Sequence, residues 1–173
     1  MNRIFGLTAL AGFIISLVVH LSALLGIDVS AHFAYVWLLH LGIFVVFFPF
    51  AFAFFSRNTP GEKPTFTEIR TAFPTWVVVA GACVFTYAVV NFLLFMIATE
   101  GGNPAIKNGK YLLLNHGKLV RELTFGEYTA FRANEIRGFS GHWLVFYFFP
   151  FAYFVLRKKS TPIFDSDASQ RNV

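Results

Sequence analysis

Three histidines and one asparagine lie inside apolar runs long enough to cross hydrocarbon, where imidazoles could ligate a haem iron or a transition metal. His20 stands seventeen residues after Arg3, His40 seventeen before Arg57, and His142 fifteen before Arg157. At about 1.5 Å per helical residue, each lies roughly 22–26 Å from its basic anchor, so the three share one layer toward the outer face. Asn91, nine residues before Glu100, falls near the same layer. Ionisable groups at such depth are costly and mark functional sites by default. Facing imidazoles across a bundle hold b-type haem, and three imidazoles can hold zinc or copper. The competing reading is structural. A neutral histidine can hydrogen-bond to a neighbouring helix, and no CxxCH, HExxH or carboxylate ligand accompanies these three. His32 and His116 are expected to face solvent.

A second chemistry needs weighing at Gly138-Phe139-Ser140-Gly141. This run resembles the GxSG nucleophile motif of rhomboid intramembrane proteases, which also opens a span. The resemblance covers four residues. Rhomboids have six spans and supply the base histidine from a span two further along, which this sequence lacks. The structural alternative makes Ser140 the N-cap of the fourth span, with the glycines turning the chain into it. No catalytic residue is therefore assigned.

The elements that position these residues follow from composition. The chain has 173 residues, of which 56% are hydrophobic and 13% charged. That is too little polar surface to cover a soluble domain. Four stretches free of Asp, Glu, Lys and Arg predict one membrane domain over 1–173 with spans at about 4–27, 32–56, 74–98 and 140–157. The first is too long for a signal peptide and is read as a retained helix. Arg3, Arg57, Lys63, Arg70 and Arg157-Lys158-Lys159 flank the same ends of the spans, which puts both termini in the cytoplasm. The net charge of +5 is thus a topology signal rather than a nucleic-acid footprint. Cys83 is expected to be a small core residue, and Trp37, Trp76 and Trp143 to be interfacial belt residues.

Residues 99–139 carry the grammar of a small extracytoplasmic ββα segment. Tyr111–Leu114 and Leu119–Leu123 read as strands joined at Asn115-His116-Gly117-Lys118, and Asn108-Gly109 is a further turn. Thr124 with Glu127 makes a capping box before a helix containing Tyr128, Phe131, Glu135 and Phe139. So small a unit should lean on the spans or on a partner. Elsewhere, Asn58-Thr59-Pro60-Gly61 and Pro64 mark turns, Phe66, Ile69 and Phe73 suggest a short interfacial helix, and 160–173 reads as a disordered tail. Phe47–Arg57 (FFPFAFAFFSR) resembles Phe148–Lys159 (FFPFAYFVLRKK), and both prolines should kink their helices. VVHL at Val18 faces VVNF at Val89 more weakly, so the spans could be a duplicated two-helix hairpin.

The run His116–Tyr147, with the form hG…lT..EY…RGFSGHW..FY, resembles a segment before the last span in a family of small bacterial four-span membrane proteins. Leu144 stands where that pattern has methionine. The resemblance implies a bacterial cytoplasmic (inner) membrane and carries no activity or functional residue. The sequence therefore predicts an all-α membrane protein of four helices plus the ββα segment, working as a non-enzymatic accessory or interaction subunit. Its partners would be the lipid bilayer and other membrane-protein subunits, with no nucleic acid. No cofactor is established. The alternative is a membrane redox protein that holds haem b or a transition metal through His20, His40 and His142.

Overall fold

Hydrocarbon offers the backbone no hydrogen-bond partner, so apolar runs of this length close their own bonds as helices. The computed structural model describes residues 2–55 and 66–158. The turns expected at 58–61 and 64 and the tail at 160–173 lie outside the described residues. Helix α1 is Asn2–Leu24, α2 is Val29–His32, α3 is Leu38–Phe55 after a 3₁₀ turn at Ala34–Trp37, α4 is Phe66–Ala72, and α5 is Thr75–Ala98. Strands β1 (Asn103–Lys107), β2 (Lys110–Asn115) and β3 (Lys118–Leu123) follow, then α6 (Phe125–Phe151), which relaxes after Pro150 into a π-helical segment, Ala152–Leu156. Four helices are long and apolar enough to cross a membrane: Arg3–Leu24, Ala34–Phe55, Thr75–Ala98 and Phe125–Leu156.

The segment between the last two spans has one strand more than the sequence reading gave it. β1 pairs antiparallel with β2, and β2 with β3, in the order β1-β2-β3. Both hairpin turns place two residues at positive φ: Asn108 (52°) and Gly109 (75°), then His116 (47°) and Gly117 (82°). That is the tight two-residue turn whose twist matches a hairpin, and asparagine and glycine tolerate it best. β1 escaped notice because Asn-Pro-Ala-Ile-Lys has no apolar alternation. Pro104 is accommodated because β1 is an edge strand.

Leu113 and Leu123 press the sheet against Phe131 of α6, with Tyr111 and Tyr128 around them. The sheet therefore rests on the helix that enters the bundle. Thr124 and Glu127 form the expected capping box, the Thr124 side chain accepting from the Glu127 N–H and the Glu127 carboxylate from the Thr124 N–H. Arg121 bridges Glu127 (2.6 Å) and Glu100 (3.1 Å), and these carboxylates raise its pKa further. α6 runs unbroken through Gly138–Gly141, so Ser140 caps nothing. A good helical cap at Thr124, sixteen residues before Ser140, followed by no proline until Pro150, lets surface helix and span fuse.

α6 is the centre of the bundle. It packs on α1, α5 and α3, whereas α3 and α5 stand apart from each other. The arrangement is not twofold symmetric, because the α1–α6 contact has no α3–α5 counterpart. Tyr147 shows how tightly α6 is held: its ring lies where a Cβ on Gly12 of α1 would stand, its hydroxyl where a Cβ on Gly42 of α3 would stand. That hydroxyl donates to the Leu39 carbonyl at 2.7 Å. Small residues buy such close approach in membranes, where apolar surface itself gives little preference for protein over lipid.

Two expectations are corrected. Trp143 is wholly buried in the core, on the side of α6 packed against α1 and α3, rather than facing outward as a belt residue would. Cys83 is exposed, because α5 turns Val77, Gly81, Ala88 and Asn91 inward and residue 83 falls off that stripe.

Candidate functional site

One turn of α6 gathers the interior polar groups. Gly138 and Gly141 leave two gaps on its α5 side: a Cβ at 138 would come 2.6 Å from the Phe95 ring, and one at 141 would collide with the Asn91 amide. Asn91 uses that gap to donate from Nδ2 to the Arg137 carbonyl at 3.1 Å. Ser140 points instead toward α1, where its Oγ lies 2.8 Å from His20 Nδ1. His20 Nε2 meets the Tyr87 hydroxyl of α5. His20, Asn91 and Ser140 are each at most 3% exposed.

Proton accounting fixes the roles. The Ser140 hydroxyl has one proton and a carbonyl, Ile136 O, at 2.6 Å, which can only accept. Ser140 donates there, so His20 Nδ1–H donates to Ser140 Oγ and Tyr87 O–H donates to His20 Nε2. This network is satisfied with a neutral imidazole and ties α1, α5 and α6 together.

The serine thus has a histidine neighbour that sequence spacing did not reveal, since the base comes from the first span rather than a later one. It is not set for attack. Its proton is committed to a backbone carbonyl, His20 offers it an N–H instead of a lone pair, and both groups are shut from solvent. A fluorophosphonate probe is accordingly expected to leave Ser140 unlabelled in the detergent-purified protein. An adduct mapped to Ser140 by mass spectrometry, lost in Ser140→Ala, would refute this assignment.

The other two histidines occupy a different place. His40 and His142 line one lateral groove of about 290 Å³ between α3, α5 and α6, together with Phe92, Phe95, Phe139 and Phe146, and His20 is not among its walls. Trp143 Nε1–H donates to His40 Nδ1 at 3.0 Å. A neutral His40 then carries its proton on Nε2. His142 has the reverse tautomer: Nδ1–H donates to the Gly138 carbonyl at 2.7 Å, leaving the Nε2 lone pair without a hydrogen bond among the described residues. Backbone support of that kind is common behind metal-bound histidines. Among the described residues no three His, Cys, Asp or Glu side chains group for a metal. His32 and His116 are exposed.

Toward the sheet, a charged rim closes the layer. Asp28 accepts from the Ser30 and Ala31 N–H groups, capping α2. Arg132 reaches Asp28 at 3.6 Å and donates to Ser30 Oγ at 3.0 Å and to Glu135, clasping the α1–α3 connection to α6. Arg137, one turn on, has Nε and Nη2 buried with no partner among the described residues. Neither Tyr87 nor Arg137 was singled out by sequence: the first is one hydroxyl in an apolar run, the second lay at the assumed border of the fourth span.

No protein-family model, no curated protein and no solved structure matches this chain. The described residues form a bundle of four helices long and apolar enough to cross a membrane, with a three-stranded sheet seated on the fourth.

Proposed function

We propose that this protein is a non-enzymatic accessory or interaction subunit of a bacterial cytoplasmic membrane, with both termini cytoplasmic and the sheet on the outer side. Arg3, Arg70, Arg157 and Lys158 at the ends of the helices away from the sheet support that orientation. The observation that carries the reading is the partly uncovered face of the sheet, on which Leu112 and Leu114 are half-buried. Leu112, Leu114 and Leu119 share the face opposite Leu113 and Leu123, and Leu119 is 58% exposed. His20, Asn91 and Ser140, by contrast, bond across to neighbouring helices. A partner subunit docking on those leucines would be coupled to the bundle through unbroken α6.

The test is Leu119→Asp in the full chain, extracted from its native membrane in mild detergent. The wild-type protein should migrate with a second membrane subunit in fixed stoichiometry, and the variant should migrate alone with an unchanged circular-dichroism spectrum. Wild-type protein that runs without any second subunit overturns the reading.

A membrane redox function with haem b or a transition metal is the second reading, favoured by His40 and His142 lining one groove. It predicts a Soret band, or stoichiometric metal, that disappears in His40→Ala and His142→Ala. Absence of both from protein purified under native conditions removes it.

A further inference from the structure

We infer that the trough between α3 and α5, at the end of the bundle away from the sheet, is a binding site for one anionic phospholipid. The trough exists because α6 lies between two helices that do not meet. α6 forms its floor, α3 and α5 its sides, and α4 its end. Its volume is about 370 Å³, within the roughly 300–1,000 Å³ typical of ligand pockets. Gly81 lets the α5 wall meet the floor closely, since a Cβ there would stand 3.3 Å from the Phe148 ring.

The walls specify what lies inside. Phe54, Phe73, Val77, Phe85 and Phe149 are carbon surface. The one wall hydroxyl, on Tyr153, already donates to the Ala53 carbonyl at 3.0 Å and accepts from Arg157 Nη1 at 3.1 Å. Nothing there rewards a polar ligand, and an acyl chain fits.

The mouth specifies the headgroup. The Lys158 N–H donates to the Ala72 carbonyl at 2.9 Å, joining the segment after α6 to the end of α4. That bond sets Lys158 beside the end of α4, two residues from Arg70, while Ile69 and Phe73 of the same helix line the trough and the Arg157 guanidinium covers the Tyr153 ring of its wall at 5.2 Å. Among the described residues none of the three is in an ion pair with a carboxylate, although α4 also carries Glu68. Basic pockets beside membrane helices recognise anionic headgroups, and arginine pairs with phosphate through two bonds at once. An apolar trough that ends in three cations matches a phosphatidylglycerol-like lipid at both its ends.

The experiment is native mass spectrometry of the full chain released from micelles containing equal phosphatidylglycerol and phosphatidylcholine. The wild-type protein should retain one phosphatidylglycerol, with a preference of about tenfold or more from three basic side chains. Arg70→Gln, Arg157→Gln and Lys158→Gln together should abolish the preference while circular dichroism stays unchanged. Ala82→Trp adds bulk to the trough wall at an exposed position and should displace either lipid with the three cations intact. Equal retention of both lipids by the wild type overturns the proposal. So does a preference that survives the triple variant, or anionic-lipid binding that survives Ala82→Trp, which would mark a surface charge effect without the trough.

Discussion

Trp143→Ala should lower the unfolding free energy of the bundle by about 3–5 kcal/mol, the range for emptying a large buried aromatic site. Trp143 is 0% exposed and lies against Trp37 and His40. Its removal empties the junction of α3 and α6 and also strips His40 Nδ1 of its donor. The pocket cannot collapse cheaply, because Tyr147, one turn on, is pinned by α1 and α3. Denaturation in mixed micelles of mild detergent and dodecyl sulfate, followed by tryptophan fluorescence and circular dichroism, measures the shift. A midpoint within error of wild type would mean that the indole is not a core group. Trp143→Phe should recover part of the loss by filling volume without restoring the hydrogen bond.

Gly12→Val is expected to be at least as damaging, by the opposite mechanism. A side chain at position 12 would enter the space of the Tyr147 ring, and that ring has no free direction of retreat, since its hydroxyl abuts Gly42 and is bonded to Leu39. Overpacking of a tight core costs about 1–3 kcal/mol where neighbours can shift, and more where they cannot. The prediction is loss of monodisperse protein or a midpoint drop beyond that range, with substantial rescue in Gly12→Val/Tyr147→Ala. If the double variant is no better than the single, the clash is not the cause.

The four apolar helices and the capping box of α6 were legible because each is a local signal: a run without charge, or a hydroxyl three residues before a glutamate. The second hairpin was legible for the same reason, through His116-Gly117. What escaped was long range. The pairing of His20 with Ser140 spans the first and last helices, and nothing in the spacing of either residue says which helices touch. Counting from the anchors placed His20, His40 and His142 at one depth, but depth leaves the rotation of a helix undetermined. Rotation set by Tyr147 against Gly12 and Gly42 turns His20 toward Ser140 and leaves His40 and His142 in the groove beyond. The fusion of surface helix and fourth span was hidden by Gly138 and Gly141, which read as breakers in a water-soluble context yet serve here as close-packing sites for Phe95 and Asn91.

The central position of α6 also bears on how the chain assembles during synthesis. The ribosome delivers α1, α3 and α5 first, and among these three the α1–α3 pair is the one with substantial contact. Until the last span arrives, the Asn91 amide lacks the carbonyl it bonds in the finished bundle, and His20 lacks Ser140. The Asn91 amide and His20 Nδ1 therefore find these partners only when α6 joins the other helices. Completion of the bundle is then a single late event, in which one helix locks three.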